Sequence, residues 1–126
     1  MKPNRFKIAL KEGRVPVGHM IMEFGTRGIA KLLEAADLDF VVIDMEHNGF
    51  DAERIADLMA WLKATPLAPF VRVPQGLYHF LARTMDAGAL GVMVGNVETP
   101  EQAREIVSAV KYAPLGARGV GLGTAH

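Results

Sequence analysis

The sequence predicts an α/β fold in which parallel strands alternate with helices. Two observations carry this prediction. Short, uninterrupted apolar runs recur along the chain, and each is followed by a segment whose apolar residues repeat with helical spacing. Elements that alternate in this way form βα units, whose strands lie parallel in one sheet. Half of the 126 residues are hydrophobic, which is enough for the packed core of one small domain.

Each predicted strand is a short apolar run that precedes a polar or glycine-containing segment. The second run is apolar at every position, as expected of a parallel strand that is covered on both faces. The four strands are predicted at 17–24, 40–43, 69–73 and 90–94.

The helices that follow the strands are marked by capping residues. Thr26 and Asp51 stand where side chains cap the first turn of a helix. Thr99 opens a capping box with proline at the first helical position. The helix that follows the third strand is expected to stop near Gly88. A fifth strand is expected to begin within the glycine-rich segment 112–126.

Two architectures fit four βα units: an open doubly wound sheet, and part of a (β/α)8 barrel. A complete barrel takes about 250 residues, and this chain of 126 residues would supply half of one. We expect residues 1–126 to be a single domain of four to five βα units, truncated at its C-terminal side.

The composition excludes several function classes. The formal net charge is zero and no long basic run is present, so nucleic-acid binding is not expected. The chain has no cysteine, which rules out a disulfide scaffold. No run approaches the roughly 20 apolar residues that a membrane span requires. We therefore expect a cytoplasmic protein that does not contact membranes.

The end of the second predicted strand is unusually rich in ionisable groups. Asp44 closes the strand, and Glu46 and His47 follow at once. In both architectures, ligands bind at the C-terminal ends of parallel strands. Arg72 interrupts the otherwise apolar third strand, and a guanidinium there must be paired or face a polar cavity. A histidine beside an arginine suits an anionic substrate, although Asp44 and His47 could also simply cap and line a loop.

Asp86 is a third candidate, near the predicted end of the third helix. A carboxylate is electrostatically unfavourable at a helix C-terminus, which suggests that it has a partner. A histidine would be one such partner, because a carboxylate raises the basicity of an imidazole. A solvated aspartate near a turn is the alternative.

Five segments along the chain form one set of motifs: IDMEH (43–47), FVRVP (70–74), MDAGALGVMV (85–94), VETPEQAREIV (97–107) and YAPLGARGVG (112–121). In this order and spacing they resemble the HpcH/HpaI aldolases. The resemblance implies a (β/α)8 barrel and a homo-oligomer, commonly a hexamer. It also implies class II pyruvate aldolase activity, in which a 4-hydroxy-2-oxo acid is cleaved to pyruvate and an aldehyde.

The resemblance also implies roles for individual residues. His47 matches the general base, Arg72 the residue that stabilises the transition state, and Asp86 the acid that raises the basicity of the histidine. Asp44 matches an acid near metal-bound water. Glu46 stands between the two assigned residues Asp44 and His47, and from this position we expect it to hold the loop or contact the substrate. The family uses a divalent ion such as Mg²⁺, Mn²⁺ or Co²⁺. Its glutamate and aspartate ligands are expected beyond residue 126, so no metal ligand is expected in this chain.

The sequence therefore predicts a lyase that acts on a small 2-oxo acid and an aldehyde. None of the six lysines stands at the C-terminal end of a predicted strand, which argues against a Schiff-base route within this region. The alternatives are a non-catalytic half-barrel that lacks the metal ligands, and a related lyase of the phosphoenolpyruvate/pyruvate superfamily. An open-sheet phosphate-binding domain is disfavoured because no GxGxxG motif follows the first strand.

Overall fold

The computed structural model describes residues 2–121, which form one parallel sheet with helices between the strands. In chain order the elements are α1 (Arg5–Lys11), β1 (Gly18–Ile21), α2 (Ile29–Ala35), β2 (Phe40–Asp44), α3 (Ala52–Leu62), β3 (Ala68–Val73), α4 (Tyr78–Asp86), β4 (Gly91–Val94) and α5 (Pro100–Val110).

The sheet has the strand order β1-β2-β3-β4, and every neighbouring pair is parallel. Consecutive strands are therefore neighbours in space, each joined to the next through a crossover that contains a helix. The register pairs Asp44 of β2 with Arg72 of β3. Because the C-terminal ends of parallel strands meet at one edge, Asp44 and Arg72, both predicted for the site, lie together there.

One face of the sheet packs against the helices. Side chains alternate between the faces of a strand. In β2, Val41 and Ile43 face the helices and are fully buried, while Phe40, Val42 and Asp44 belong to the opposite, inner face. The helices contribute a matching apolar stripe. The fully buried helical side chains with the largest volumes are Ile55, Leu58, Leu62 and Leu81.

Aromatic rings fill the inner face near the N-terminal ends of the strands. Phe6 of α1 contacts Phe40 and Phe70 edge-on, with ring centroids 5.1 and 5.3 Å away. Phe40 pairs in register with Gly18, and Phe70 with Gly91. A Cβ at either glycine would lie within 2.6 Å of the neighbouring ring, so both positions leave space for an aromatic side chain.

Helix α1 was not predicted, because its seven residues have no strong apolar period of their own. It is capped by the Asn4 side chain, which accepts a hydrogen bond from the backbone N–H of Lys7. It buries Ala9 and directs Phe6 to the aromatic cluster. Lys2, just before it, donates to the carbonyl of Leu62 at 2.6 Å. Tertiary contacts, rather than local sequence, stabilise this helix.

Two predictions for the first βα unit were inaccurate. The first strand covers 18–21 rather than 17–24, since the chain turns after Ile21 and Gly25 donates to the carbonyl of Glu23. Thr26 does not cap α2. The N-cap is Gly28, which has helical φ and ψ and no side-chain cap, and the Thr26 carbonyl instead accepts from Ile29 in the preceding turn.

Other cap predictions were correct. Asp51 accepts from the backbone of Arg54 at the start of α3, and Thr99 with Gln102 forms the expected capping box of α5. The helix before Gly88 ends at Asp86.

No strand forms within residues 112–121, where a fifth one was expected to begin. Tyr112 accepts backbone hydrogen bonds from Leu115 and Gly116, which makes this segment a compact turn. The remainder of the predicted region, 122–126, lies outside the described residues. In the described part of the chain, no helix is long and apolar enough to cross a membrane.

Candidate functional site

The centre of the candidate site is a two-point ion pair between adjacent strands. Arg72 donates from Nε to Asp44 Oδ1 at 2.8 Å and from Nη2 to Asp44 Oδ2 at 2.6 Å. Both residues lie on the inner face of the sheet at its C-terminal edge. The planar guanidinium matches the carboxylate in this geometry, so the pair fixes the orientation of the arginine. Among the contacts described within residues 2–121, those of Arg72 use Nε and Nη2 and leave Nη1 for another group.

Asp44 is fully buried, yet it is held in its charged form. The hydrogen bonds from Arg72 are the largest cause, and together with those from the backbone N–H groups of Glu46 and His47 they outweigh the cost of burial. They lower the pKa of Asp44 to about 2. The carboxylate therefore orders the loop after β2 as well as Arg72.

Glu46 connects the histidine to the arginine. Its Oε2 atom lies 3.3 Å from Arg72 Nε and 3.6 Å from His47 Nε2. The Glu46 side chain is only 14% exposed, whereas that of His47 is 65% exposed. The imidazole is therefore open to solvent, and its inner edge faces a carboxylate. His47 and Arg72 lie at the same edge of the sheet and contact the same oxygen atom.

Asp86 has a different partner from the one that the sequence suggested. Arg118 donates to Asp86 Oδ1 from Nε at 3.2 Å and from Nη2 at 2.5 Å. The Arg118 side chain is 6% exposed and its guanidinium lies over the ring of Tyr112, 4.6 Å from the centroid. Nearby, the Tyr78 hydroxyl accepts from the backbone N–H of Gly119 at 2.9 Å. These contacts attach segment 112–121 to α4.

The structure thus brings four of the five predicted residues into one cluster: Asp44, Glu46, His47 and Arg72. The described ion pairs and hydrogen bonds of Asp86 are with Arg118 and not with a histidine. The sequence analysis included Arg118 only within the segment YAPLGARGVG (112–121) and gave no partner for it. Its position in an otherwise uncharged turn was the available signal, because a buried arginine requires an acid nearby.

The described residues offer few free ligands for a metal ion. Within residues 2–121, no group of three histidine or acidic side chains is arranged so as to hold a metal ion. The acids of the cluster are already engaged with arginine. The described residues therefore do not by themselves form a cation site.

An open cavity of about 300 Å³ lies on the helix side of the sheet, between α3 and α4. Its walls include Ile55 and Phe80, with His79, Arg83 and Asp86 at its polar side. The cavity does not include His47 or Arg72. We place the candidate site at the strand ends, because that is where the paired charges and the exposed imidazole converge.

Comparison with known proteins gives the family of this chain. Residues 26–125 match the model of the HpcH/HpaI aldolase/citrate lyase family. The chain belongs to this family. The earlier resemblance, drawn from five short segments, is confirmed.

Several relatives of the chain are named as aldolases. The chain is 38% identical over 123 residues to a hydroxypyruvate/pyruvate aldolase of Agrobacterium fabrum, covering 98% of this chain and 46% of the relative. It is 35% identical over 126 residues to a 2-keto-3-deoxy-L-rhamnonate aldolase of Salmonella gallinarum, with coverage of 98% and 46%. The chain therefore spans about half the length of these relatives.

A solved structure shares the fold. The HpcH/HpaI aldolase of Desulfitobacterium hafniense DCB-2 superposes with a TM-score of 0.86 at 35% identity, covering 91% of this chain and 44% of that one. The predicted α/β fold, with parallel strands and flanking helices of the (β/α)8 type, is confirmed.

Proposed function

We propose that the protein to which this chain belongs is a lyase that cleaves a 4-hydroxy-2-oxo acid to pyruvate and an aldehyde. One observation carries the proposal: His47 and Arg72 lie at the same strand edge, each within 3.6 Å of Glu46 Oε2. A base and a fixed cationic donor are the two groups that this reaction needs from the protein. The aldolase names of the relatives support the same reaction class.

In this reaction His47 removes the proton of the C4 hydroxyl. The C3–C4 bond then breaks, the aldehyde leaves, and the bonding electrons form an enolate of pyruvate with its negative charge on the C2 oxygen. Protonation of the enolate at C3 completes pyruvate. His47 suits the first step because its imidazole is the most exposed group of the cluster.

Arg72 stabilises the enolate oxygen. Its guanidinium is oriented by Asp44 before substrate arrives, so no reorganisation is required when negative charge develops. The Nη1 group is the donor that its described protein contacts leave for a substrate oxygen. Asp86 is proposed to support the site indirectly, since its partner here is Arg118.

A divalent cation such as Mg²⁺, Mn²⁺ or Co²⁺ belongs to the same proposal, because the family resemblance implies one. Bound elsewhere in the whole protein, such an ion would act as a Lewis acid toward the substrate oxygens. The described residues of this chain do not form a site for it, and their own steps are proton transfer and oxygen binding. Loss of turnover on treatment with a chelator, restored by adding one of these ions, would support the cation.

We also propose a cytoplasmic homo-oligomer, with a hexamer as the form that the resemblance implies. Native mass spectrometry of the purified protein tests the assembly, and cell fractionation tests the location. A stable monomer would contradict the first proposal.

The decisive experiment is a retro-aldol assay on the natural polypeptide that contains this chain, with pyruvate release as the signal. His47→Ala should lower turnover by about 10²–10⁴-fold, the usual range for a general base. His79→Ala is the matched control, because His79 is exposed on α4 and outside the cluster. If no 4-hydroxy-2-oxo acid is cleaved, the non-catalytic alternative replaces this proposal. If His47→Ala retains normal turnover, the assignment of the base is wrong.

A further inference from the structure

Glu46 occupies a position that the reaction outlined above does not use. Its carboxylate is largely shielded from solvent, and a single oxygen, Oε2, contacts both His47 and Arg72. Arg72 does not need this second acid for charge balance, because Asp44 already forms a two-point pair with it. The negative charge of Glu46 is therefore additional to the Asp44–Arg72 pair, and its Oε2 atom faces both the guanidinium and the imidazole.

The carboxylate of Glu46 also reaches beyond its own strand. It extends from the loop after β2, past Arg72 of β3, to Gly95 at the end of β4. A Cβ at Gly95 would lie 3.2 Å from Glu46 Oε1 and 3.5 Å from Oε2. A side chain there would press on the carboxylate, which would have to shift by a few tenths of an ångström. Gly95 therefore leaves the space that the carboxylate occupies.

We propose that Glu46 is a positioning residue for catalysis. Its Oε2 atom holds the His47 imidazole at a fixed place beside Arg72, and Gly95 leaves the space that the Glu46 carboxylate occupies. This inference rests on the proposed lyase function for its kinetic part only. The ring nitrogen that faces Glu46 is Nε2, 3.6 Å from Oε2, which is slightly longer than a hydrogen bond. A facing carboxylate favours a proton on that nitrogen, which leaves Nδ1 as the nitrogen that accepts the substrate proton.

Within residues 2–121, the described ion pairs and hydrogen bonds place three charged side chains around His47. Glu46 faces Nε2, Arg72 lies on the far side of the same carboxylate, and Asp44 accepts from the backbone N–H of His47 rather than from its ring. Glu46 is the one acid among these whose side chain directly faces the imidazole. Removing its charge should therefore alter the imidazole without breaking the Asp44–Arg72 pair.

The test uses Glu46→Gln in the natural polypeptide, with Glu105→Gln on the exposed face of α5 as the matched control. In Glu46→Gln we expect kcat to fall by about 10–100-fold, as for other residues that orient a working histidine, with little change in KM. In protein that carries isotope-labelled histidine, the imidazole nitrogen signals of His47 should shift away from the form protonated at Nε2. Glu105→Gln should match the wild type in both measurements.

Gly95→Ala gives a second, independent route to the same carboxylate. We expect a similar loss in kcat and a similar change in the His47 signals, whereas Gly28→Ala should have neither effect, since no atom lies within 4 Å of a Cβ at Gly28. The double variant Glu46→Gln with Gly95→Ala should lose no more than about the larger single loss, because both changes act through one group.

The imidazole signals separate this inference from the proposed function. If the wild-type protein cleaves no oxo acid but the His47 signals shift in Glu46→Gln and Gly95→Ala, the proposed function fails and the positioning inference stands. If the signals of His47 are unchanged in both variants, the inference is overturned, whatever the activity. Full additivity of the two kinetic losses would also overturn it.

Discussion

Arg72 and Asp44 are partners twice: once in the backbone register of β3 and β2, and again through a two-point ion pair between their side chains. The first relationship makes the second possible, because register partners on parallel strands direct their side chains to the same face. Asp44 is fully buried, so this pair is a fixed part of the structure rather than a mobile surface contact. The two-point pair fixes the orientation of the Arg72 guanidinium at the strand edge.

The first prediction concerns the shape of the cation. Arg72→Lys should lower the free energy of unfolding by about 1.5–3 kcal/mol, because a lysine cannot supply two parallel N–H donors to Asp44. Retro-aldol turnover should fall with it, since the remaining ammonium is not held in place. Urea denaturation and the pyruvate assay measure the two effects.

Arg104→Lys is the control for this change. Arg104 pairs with Glu101 on the surface of α5, where both side chains are about 70% exposed, and we expect a change within about 0.5 kcal/mol. Equal loss of unfolding free energy in the two variants would show that the two-point geometry of the Asp44–Arg72 pair adds no stability beyond that of an exposed ion pair.

The second prediction is the pH dependence of stability. The Asp44–Arg72 hydrogen bonds lower the pKa of Asp44 to about 2 from its usual value of 3.8. A group with a lowered pKa in the folded state stabilises that state fully above its unfolded pKa and loses this contribution as the pH falls. The stabilisation should therefore be complete above about pH 4 and should vanish progressively as the pH approaches 2.

Comparison of the wild type with Asp44→Asn isolates this effect from the other acids. The difference in free energy of unfolding between the two proteins should be constant near neutral pH and should shrink below pH 4. Chemical denaturation at a series of pH values measures it. A difference that stays constant down to pH 2 would mean that Asp44 is not held in its charged form by Arg72.

The third prediction follows from the Asp86–Arg118 pair. Asp86→Asn leaves a guanidinium that is 6% exposed without a charged partner, which is strongly unfavourable. We expect segment 112–121 to detach from α4, with faster amide hydrogen exchange in that segment and little change in the sheet. Arg118→Met should give the same pattern. The double variant should show no greater increase in exchange than the more affected single variant, because both substitutions remove the same contact.

Asp57→Asn on the exposed side of α3 is the matched control for Asp86→Asn. If Asp86→Asn abolishes turnover while exchange in 112–121 stays normal, Asp86 acts on the reaction rather than through Arg118. That result would favour the role that the family resemblance implied.

The outcome for Asp86 shows where sequence reasoning reached its limit. The electrostatic argument was sound: an acid at the end of α4 does have a partner. The identity of that partner was out of reach, because Arg118 is 32 positions away in the chain and is brought to α4 by a turn with no periodic pattern. By contrast, Asp44 and Arg72 could be related from sequence, since each ends or interrupts an apolar strand and parallel strand ends meet at one edge.

The same distinction applies to the fold. The buried strands and the caps at Asp51 and Thr99 depend on local residues and were predictable. Helix α1 depends on the contact of Phe6 with rings from β2 and β3, which no local pattern contains. Thr26 has the right chemistry for a cap but lies two residues too early, because Gly28 takes the N-cap position of α2.

The last prediction tests the aromatic cluster beneath the site. Gly18→Ala would place a Cβ within 2.6 Å of the Phe40 ring, which cannot move freely because Phe6 packs against it edge-on. We expect a loss of about 1–3 kcal/mol in the free energy of unfolding, as for other overpacked cores. Phe40→Leu in the same variant should recover part of this loss by removing the ring. Gly28→Ala, where the new methyl group meets no atom within 4 Å, should behave like the wild type. Urea denaturation of the variants decides the point, and equal midpoints for Gly18→Ala and Gly28→Ala would mean that the ring adjusts without cost.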